Sequence, residues 1–379
     1  MSEGKLAAKL PELGKMLGKY RLLALLGEGG AGRVYLAQDI DSERRVALKV
    51  SRPELLRHPE LLRRFFREAE AIRKIRHENI VEIIDIVEQG DMSYYAMEVL
   101  DGETLADLLD AEELTLSLED RLGIAGQVVS ALTAAHQVGV VHRDLKPTNL
   151  EIIRRPFEPH FVKLLDFGAA ELRTGTEVDL PTGKGSEPTT GIVIGTPGYM
   201  APEQITREPT DHRVDIYALG VLLYELLTNR PPFDGGSTEE LLAQHVEDKP
   251  RSLRKWNDLP YTVPEELDAL VLKCLEKKPD DRPQQMREVG WALVRITNRL
   301  RGVNVPMSGS ERRATAVRKH RRRRAAVILL VVFVLGAAAA VGLDLVTSGW
   351  ASNRLSRARD FAKRHGWDLP GLDSTLDAD

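Results

Sequence analysis

One cysteine, Cys274, stands among 379 residues. That excludes a disulfide framework, a cysteine metal cluster and a redox pair, and it points to a reducing compartment for the main body of the chain. A signal-peptide pattern is also missing from the start. Residues 1–19 have leucines at 6, 10, 13 and 17, but lysines interrupt them and Pro11 breaks a helix. Core-forming residues are not scarce: 42% of the chain is apolar and 29% charged, which excludes global disorder and leaves room for two or three domains or one large one. The net charge of −4 conceals a split. Residues 311–324 hold eight Lys/Arg and one acid, and without them 45 basic and 56 acidic residues leave −11.

Directly after that basic block comes a stretch that lacks charge altogether. Ala325 to Leu343 reads AAVILLVVFVLGAAAAVGL, nineteen residues. At ~1.5 Å per residue a helix here is roughly 28 Å long, the thickness of a bilayer hydrocarbon core. A single transmembrane helix is expected. Eight Lys/Arg precede it, and Arg354, Arg357, Arg359 and Lys363 are the four in the twenty residues that follow. The positive-inside rule keeps the N-terminal side in the cytoplasm at the inner membrane. The position of the basic block against the span makes anionic lipid headgroups its expected partner, and no nucleic acid is expected. Residues 344–379 would form a short extracytoplasmic tail, too small for an ordinary sensor domain. Within it, residues 353–365 read either as a basic amphipathic helix or as a disordered segment. Gly336-Ala337-Ala338-Ala339-Ala340 offers small residues for helix packing in a homodimer.

The body of the chain changes character along its length. Tyr20 to Leu26, Arg33 to Gln38 and Arg45 to Val50 are short apolar-rich runs broken by Gly or Asp, the pattern of strands. Pro59 to Ile75 has apolar positions at 61, 62, 65, 66, 69 and 72, the period of a helix. Helices dominate after Gly102. Ile124, Val128, Leu132 and Ala135 mark one face of the first long one, and Val214 to Leu227 is apolar on nearly every side, as in the centre of a lobe. The α+β organisation expected is a small β-rich lobe (20–99) before a larger α-rich lobe (100–300). A flank at 1–19, a basic linker at 301–324, the span at 325–343 and the tail at 344–379 complete it.

Gly27-Glu28-Gly29-Gly30-Ala31-Gly32-Arg33-Val34 fits GxGxxGxV between two strands. Glycines there let backbone N–H groups approach phosphate oxygens. A dinucleotide fold would need a helix to open at this point, but Val34 to Gln38 reads as strand. Four further motifs follow in order: Val46-Ala47-Leu48-Lys49, then His142-Arg143-Asp144-Leu145-Lys146-Pro147-Thr148-Asn149, then Asp166-Phe167-Gly168, then Ala201-Pro202-Glu203. On these residues, over 20–300, the chain resembles the eukaryotic-like serine/threonine protein kinases of bacteria that carry a single membrane span.

The resemblance implies a bilobal protein-kinase fold that transfers the γ-phosphate of ATP, with Mg²⁺, to serine and threonine of protein substrates. It makes Lys49 the holder of the α- and β-phosphates, itself held by Glu68. Glu70 is the runner-up, turned ~200° away on the same helix. Asp144 would orient the substrate hydroxyl and accept its proton, Lys146 would neutralise the moving phosphoryl group, and Asn149 and Asp166 would supply oxygens to the metal. Leu26, Gly27, Glu28, Gly29, Gly30, Ala31, Gly32, Val34 and Ala47 would cover the nucleotide, with Met97 as gatekeeper and the backbone of residues 98–100, including Glu98 and Leu100, meeting adenine. Lys146 two residues after Asp144, and Thr196 in Gly195-Thr196-Pro197-Gly198-Tyr199, match the serine/threonine class. Glu203 with Arg282, and Asp215, take structural roles.

One position departs from the pattern. The adenine floor, two residues after Asn149, is usually apolar and here is Glu151, which costs energy unless it turns to solvent, is protonated or meets a cation such as Arg154 or Arg155. A catalytically dead membrane scaffold is the competing expectation, and retention of Lys49, Asp144, Asn149 and Asp166 weighs against it. The activation segment would run from Asp166 to Glu203. Its phosphorylation at Thr190, with Thr189 second, would pair a phosphate with Arg143 and order the loop.

Overall fold

The computed structural model describes residues 13–29, 32–51, 59–89, 92–111, 116–167 and 196–303. All of these fall within one compact unit, Met1–Asn304. Gly30, Ala31, residues 168–195 with Thr189 and Thr190, and residues 304–379 with the expected span lie outside the described residues. Among the described residues no helix is long and apolar enough to cross a membrane.

The first lobe is an antiparallel sheet of six strands: β1 (Met16–Leu17), β2 (Tyr20–Gly29), β3 (Gly32–Asp39), β4 (Arg45–Ser51), β5 (Ile83–Gln89) and β6 (Met92–Met97), in the order β1-β2-β3-β4-β6-β5. Alternation builds it. Tyr20 and Leu22 are buried, while Arg21 between them and Leu23 and Leu25 beyond are exposed. One face packs Leu17, Tyr20, Leu22, Tyr35, Ala37, Val46, Leu48, Val50, Tyr94 and Ala96 together. The glycine-rich segment is a hairpin, Gly29 facing Gly32 across β2 and β3, and no helix opens there. Gly32 answers to its own sheet: a Cβ on it would lie 2.1 Å from the Val50 carbonyl oxygen on β4. Gly27 has no such constraint, for a Cβ there meets nothing within 4 Å.

Helix α1 (Pro59–Lys74) ends one residue short of the expected boundary and packs on β5 and β6. Its inward residues are Phe65, Phe66, Ala69 and Ile72, as the spacing requires. A short β7 (Gly102–Thr104) then leads into α2 (Leu105–Asp110), capped by Thr104, and into α3 (Leu118–Gln137), capped by Ser117 with Asp120 in a reciprocal box. Ile124, Val128, Leu132 and Ala135 are all essentially inaccessible, one stripe of α3. The second lobe also holds a small sheet, β7-β8-β9, with β8 (Leu150–Arg155) and β9 (Glu158–Leu164). Helices α4 (Pro202–Ile205), α5 (Arg213–Thr228), α6 (Thr238–Glu247), α7 (Glu265–Cys274) and α8 (Met286–Leu300) complete it. Nearly every side chain of α5 is buried, so it is the axis of the lobe. Cys274 is buried beside it, its thiol pushed up to about 12 by burial, a packing residue with no reactivity.

Candidate active site

Two residues at the site adopt a conformation that L side chains rarely take: Arg143, between α3 and β8, at φ 66° and Asp166, just after β9, at φ 41°. Such backbone persists where surrounding bonds over-determine it. Asp215, fully buried at the start of α5, accepts from the backbone N–H of His142 and of Arg143, both at 2.8 Å, and from His136 Nε2 at 2.7 Å. Burial alone would raise the pKa of Asp215. The bond and charge of His136, with the backbone N–H bonds of His142 and Arg143, outweigh it and hold the carboxyl below its ordinary value.

His142 joins this loop to the end of β9. Its Nε2 lies 3.0 Å from the Leu165 carbonyl, and the Asp144 N–H lies 3.3 Å from its Nδ1. Burial lowers its pKa. A neutral ring with its proton on Nε2 satisfies both contacts, and so the loop bearing Asp144 and the strand bearing Asp166 are tied through one side chain.

The chemistry-bearing side chains then meet. Lys146 Nζ lies 2.7 Å from Asp144 Oδ2 and donates to Thr196 Oγ1 at 2.7 Å, and Thr196 Oγ1 lies 3.3 Å from Asp144 Oδ1. Asn149 Nδ2 donates to the Asp144 carbonyl at 2.8 Å and to its Oδ2 at 3.2 Å. Lys49 Nζ pairs with Asp166 Oδ1 at 2.7 Å, across 117 residues of sequence. Glu68 lies on α1, and its side chain is outside the described ones. Glu203 and Arg282 form a buried bidentate pair at 2.6 and 2.7 Å, as expected from the sequence.

On the other wall, Ala47 is buried and pairs with Leu36 on β3 and with Met97 on β6. Val34 faces Lys49 across the sheet, Leu26 is exposed, and Leu100 is half-buried. The Glu98 carboxylate turns away, accepting from Lys163 Nζ at 2.5 Å and from the Glu82 N–H at 2.8 Å. Lys163 is buried and also reaches the Ile80 carbonyl at 3.3 Å. Sequence reasoning missed this clamp, because no spacing rule links residue 163 to residue 98.

Glu151 sits on β8 opposite Thr104 and Lys163, half-buried. Burial first, and then the charges of Asp107 and Glu103, push its carboxyl up. Neither expected arginine meets it. Arg154 pairs with Glu103, and Arg155 lies 3.3 Å over the Phe161 ring. The adjacent Lys163 is spent on Glu98. Arg154 falls where the β8–β9 register shifts, between Ile153 and Arg155, and its side chain goes to Glu103.

A glycine hairpin, a strand lysine paired with a distant aspartate, and an Asp–Lys–Thr–Asn cluster at the base of a second lobe define a bilobal phosphotransferase fold. Residues 20–290 match the protein kinase domain family, and the chain belongs to it. ATP and a divalent metal ion follow from that membership. Among curated proteins, the serine/threonine-protein kinase Pkn1 of Myxococcus xanthus is 41% identical over 276 residues, 73% of this chain and 38% of that protein. The serine/threonine-protein kinase PrkC of Bacillus subtilis is 37% identical over 273 residues, 71% of this chain and 39% of that protein. The chain thus spans less than half the length of these relatives. The solved kinase domain of PknI from Mycobacterium tuberculosis superposes with a TM-score of 0.56 at 26% identity, covering 76% of this chain and all of that one.

Proposed function

We propose that this chain is a membrane-anchored serine/threonine protein kinase of bacterial signal transduction. The reading is carried by the set of bonds that joins Asp144, Lys146, Thr196 and Asn149 in one place. Asp144 orients the incoming hydroxyl and takes its proton as the oxygen attacks the γ-phosphorus and the bond to the bridging oxygen breaks, releasing ADP. Lys146, already 2.7 Å from Asp144 Oδ2, neutralises charge on the moving group. Lys49, backed by Glu68, holds the α- and β-phosphates, and the Glu98–Leu100 backbone takes the adenine.

The donor set suits Mg²⁺. Asn149 uses its Nδ2 in two bonds and keeps Oδ1 out of them, and Asp166 adds a carboxylate. When bound, the cation neutralises phosphate charge. Serine/threonine preference rests on Lys146 and Thr196 and on the naming of Pkn1 and PrkC. Anchoring rests on the uncharged run 325–343 behind its basic block, with the kinase domain (20–300) in the cytoplasm and residues 344–379 outside. Dimerisation through the small residues 336–340 rests on the same segment.

Full-length chain in detergent, given Mg²⁺, γ-labelled ATP and an acceptor protein, should produce phosphoserine and phosphothreonine. Phosphotyrosine alone, or no transfer, would sink the reading. Changing Thr189 and Thr190 together to alanine should cut activity about tenfold or more, since a phosphate there pairs with Arg143. Intact activity in that variant would remove loop phosphorylation from the account. Glu151→Leu should lower the KM for ATP about fivefold, a modest gain because the carboxylate is half-exposed and partly screened. An unchanged KM would show that Glu151 turns its charge away from the nucleotide.

A further inference from the structure

Tyr94 and Tyr95 are neighbours on β6 and face opposite ways, as alternation along a strand requires. Tyr94 joins the cluster on one face of the sheet, its ring 6.0 Å from that of Tyr20. Tyr95 joins the core on the other face and is 1% exposed. The same division runs through β4, where Leu48 belongs with Tyr94 and Lys49 points the other way. Lys49 and Tyr95 are direct partners in the antiparallel register of β4 and β6. Their side chains therefore share a face, and Lys49 Nζ stands over the Tyr95 ring, 5.6 Å from its centroid.

The ring has a second neighbour. Phe65 of α1 packs on it at 5.0 Å between centroids, with the planes tilted by 43°, and is itself buried. Phe65 stands three residues before Glu68, so the aromatic pair joins the helix that carries Glu68 to the strand that carries Lys49. Two partners of the Lys49 ammonium differ in kind. Asp166 Oδ1, at 2.7 Å, is a carboxylate that a metal ion also draws on. The Tyr95 face offers the negative side of a ring quadrupole, and the ring is buried between β6 and α1. Lys49 is 8% exposed, and out of water this attraction is stronger than at a surface. An aliphatic side chain at 95 would fill the space without attracting the ammonium.

We propose that Tyr95 is a positioning residue for ATP: its ring face, braced by Phe65, holds the Lys49 ammonium in place for the α- and β-phosphates. The inference rests on the protein-kinase reading and adds to it a residue that acts through Lys49. Its signature is a split. Nucleotide binding depends on an aromatic ring at position 95, and peptide binding does not. Phenylalanine keeps the ring and loses the hydroxyl. Leucine and methionine keep apolar bulk and lose the ring, and methionine adapts its shape to buried space if leucine leaves a fault in the fold.

The test compares full-length wild type, Tyr95→Phe, Tyr95→Leu and Tyr95→Met in detergent. Titration calorimetry with the non-hydrolysable β,γ-imido analogue of ATP and Mg²⁺ gives a Kd, and steady-state kinetics with a peptide acceptor gives both KM values. The expected result is a nucleotide Kd and a KM for ATP about tenfold higher in the Leu and Met variants, a loss of about 1.4 kcal/mol. Tyr95→Phe stays within about twofold of wild type, and the peptide KM stays within about twofold in all three. A Phe variant as weak as the Leu variant would assign the effect to the hydroxyl and overturn the proposal. Wild-type nucleotide binding in the Leu and Met variants, or a parallel rise in peptide KM, overturns it as well. Wild type that binds the nucleotide but transfers nothing overturns the kinase reading instead, and the calorimetric comparison still decides the role of Tyr95.

Discussion

Asp144→Asn should lower kcat about a thousandfold and leave the KM for ATP within about twofold. The substitution keeps the size and planarity of the side chain but removes both its charge and its capacity to take a proton. The contacts around it say where the loss falls. Asp144 touches Lys146, Thr196 and Asn149, each part of the base of the cleft, and none of them belongs to the strand wall where Ala47 and Met97 lie. A carboxylate missing from that base removes an interaction made in the transition state, which lowers kcat and kcat/KM together. Thermal unfolding should hardly move, since Asp144 is only half-buried and its backbone N–H and carbonyl bonds survive. A fall in kcat of less than tenfold would mean that another group accepts the proton.

Arg282→Met should destabilise the protein by about 3–5 kcal/mol, because it strands Glu203 as an uncompensated buried charge. Arg282 is 2% exposed and Glu203 3% exposed, so water can replace neither. Its guanidinium gives two parallel bonds to Glu203 and others to the carbonyls of Glu276, Lys277 and Arg213, which ties the end of the activation segment to the start of α5 and the turn after α7. Arg282→Lys should recover little, since a single ammonium cannot fill that fork. Replacing Glu203 and Arg282 together with apolar residues should cost less than Arg282→Met alone. Chemical denaturation of the four proteins checks this. A loss below about 1 kcal/mol for Arg282→Met would mean that water reaches Glu203 after all.

What was legible in advance was chemistry written in neighbouring residues. Lys49, Asp144, Lys146, Asn149 and Asp166 sit in short motifs, and the structure brings Lys146, Asn149 and Thr196 to Asp144 and Asp166 to Lys49. The stripe of α3 and the apolar run of α5 were legible for the same reason, as period and composition are local. Strands β5 and β6 were not. Asp85 and Glu88 interrupt the apolar pattern of β5, and Asp85 is tolerated because Tyr20 Oη, 65 residues away, donates to it at 3.2 Å while Lys19 lies 3.7 Å off. Strands β8 and β9 hide inside a helical lobe for a similar reason: Lys163 reads as a charge in a strand until Glu98 is seen beside it. Gly32 was read as a phosphate-binding residue, but its close approach to the Val50 carbonyl gives it a second reason to lack a side chain.

The most direct measurement is intact-mass spectrometry of full-length chain after incubation with Mg²⁺ and ATP, beside Asp144→Asn. The account predicts added phosphoryl groups on the wild type, mapped by peptide sequencing to Thr190 and then Thr189, and none on Asp144→Asn. Unmodified wild type, or equal modification of both proteins, would contradict it.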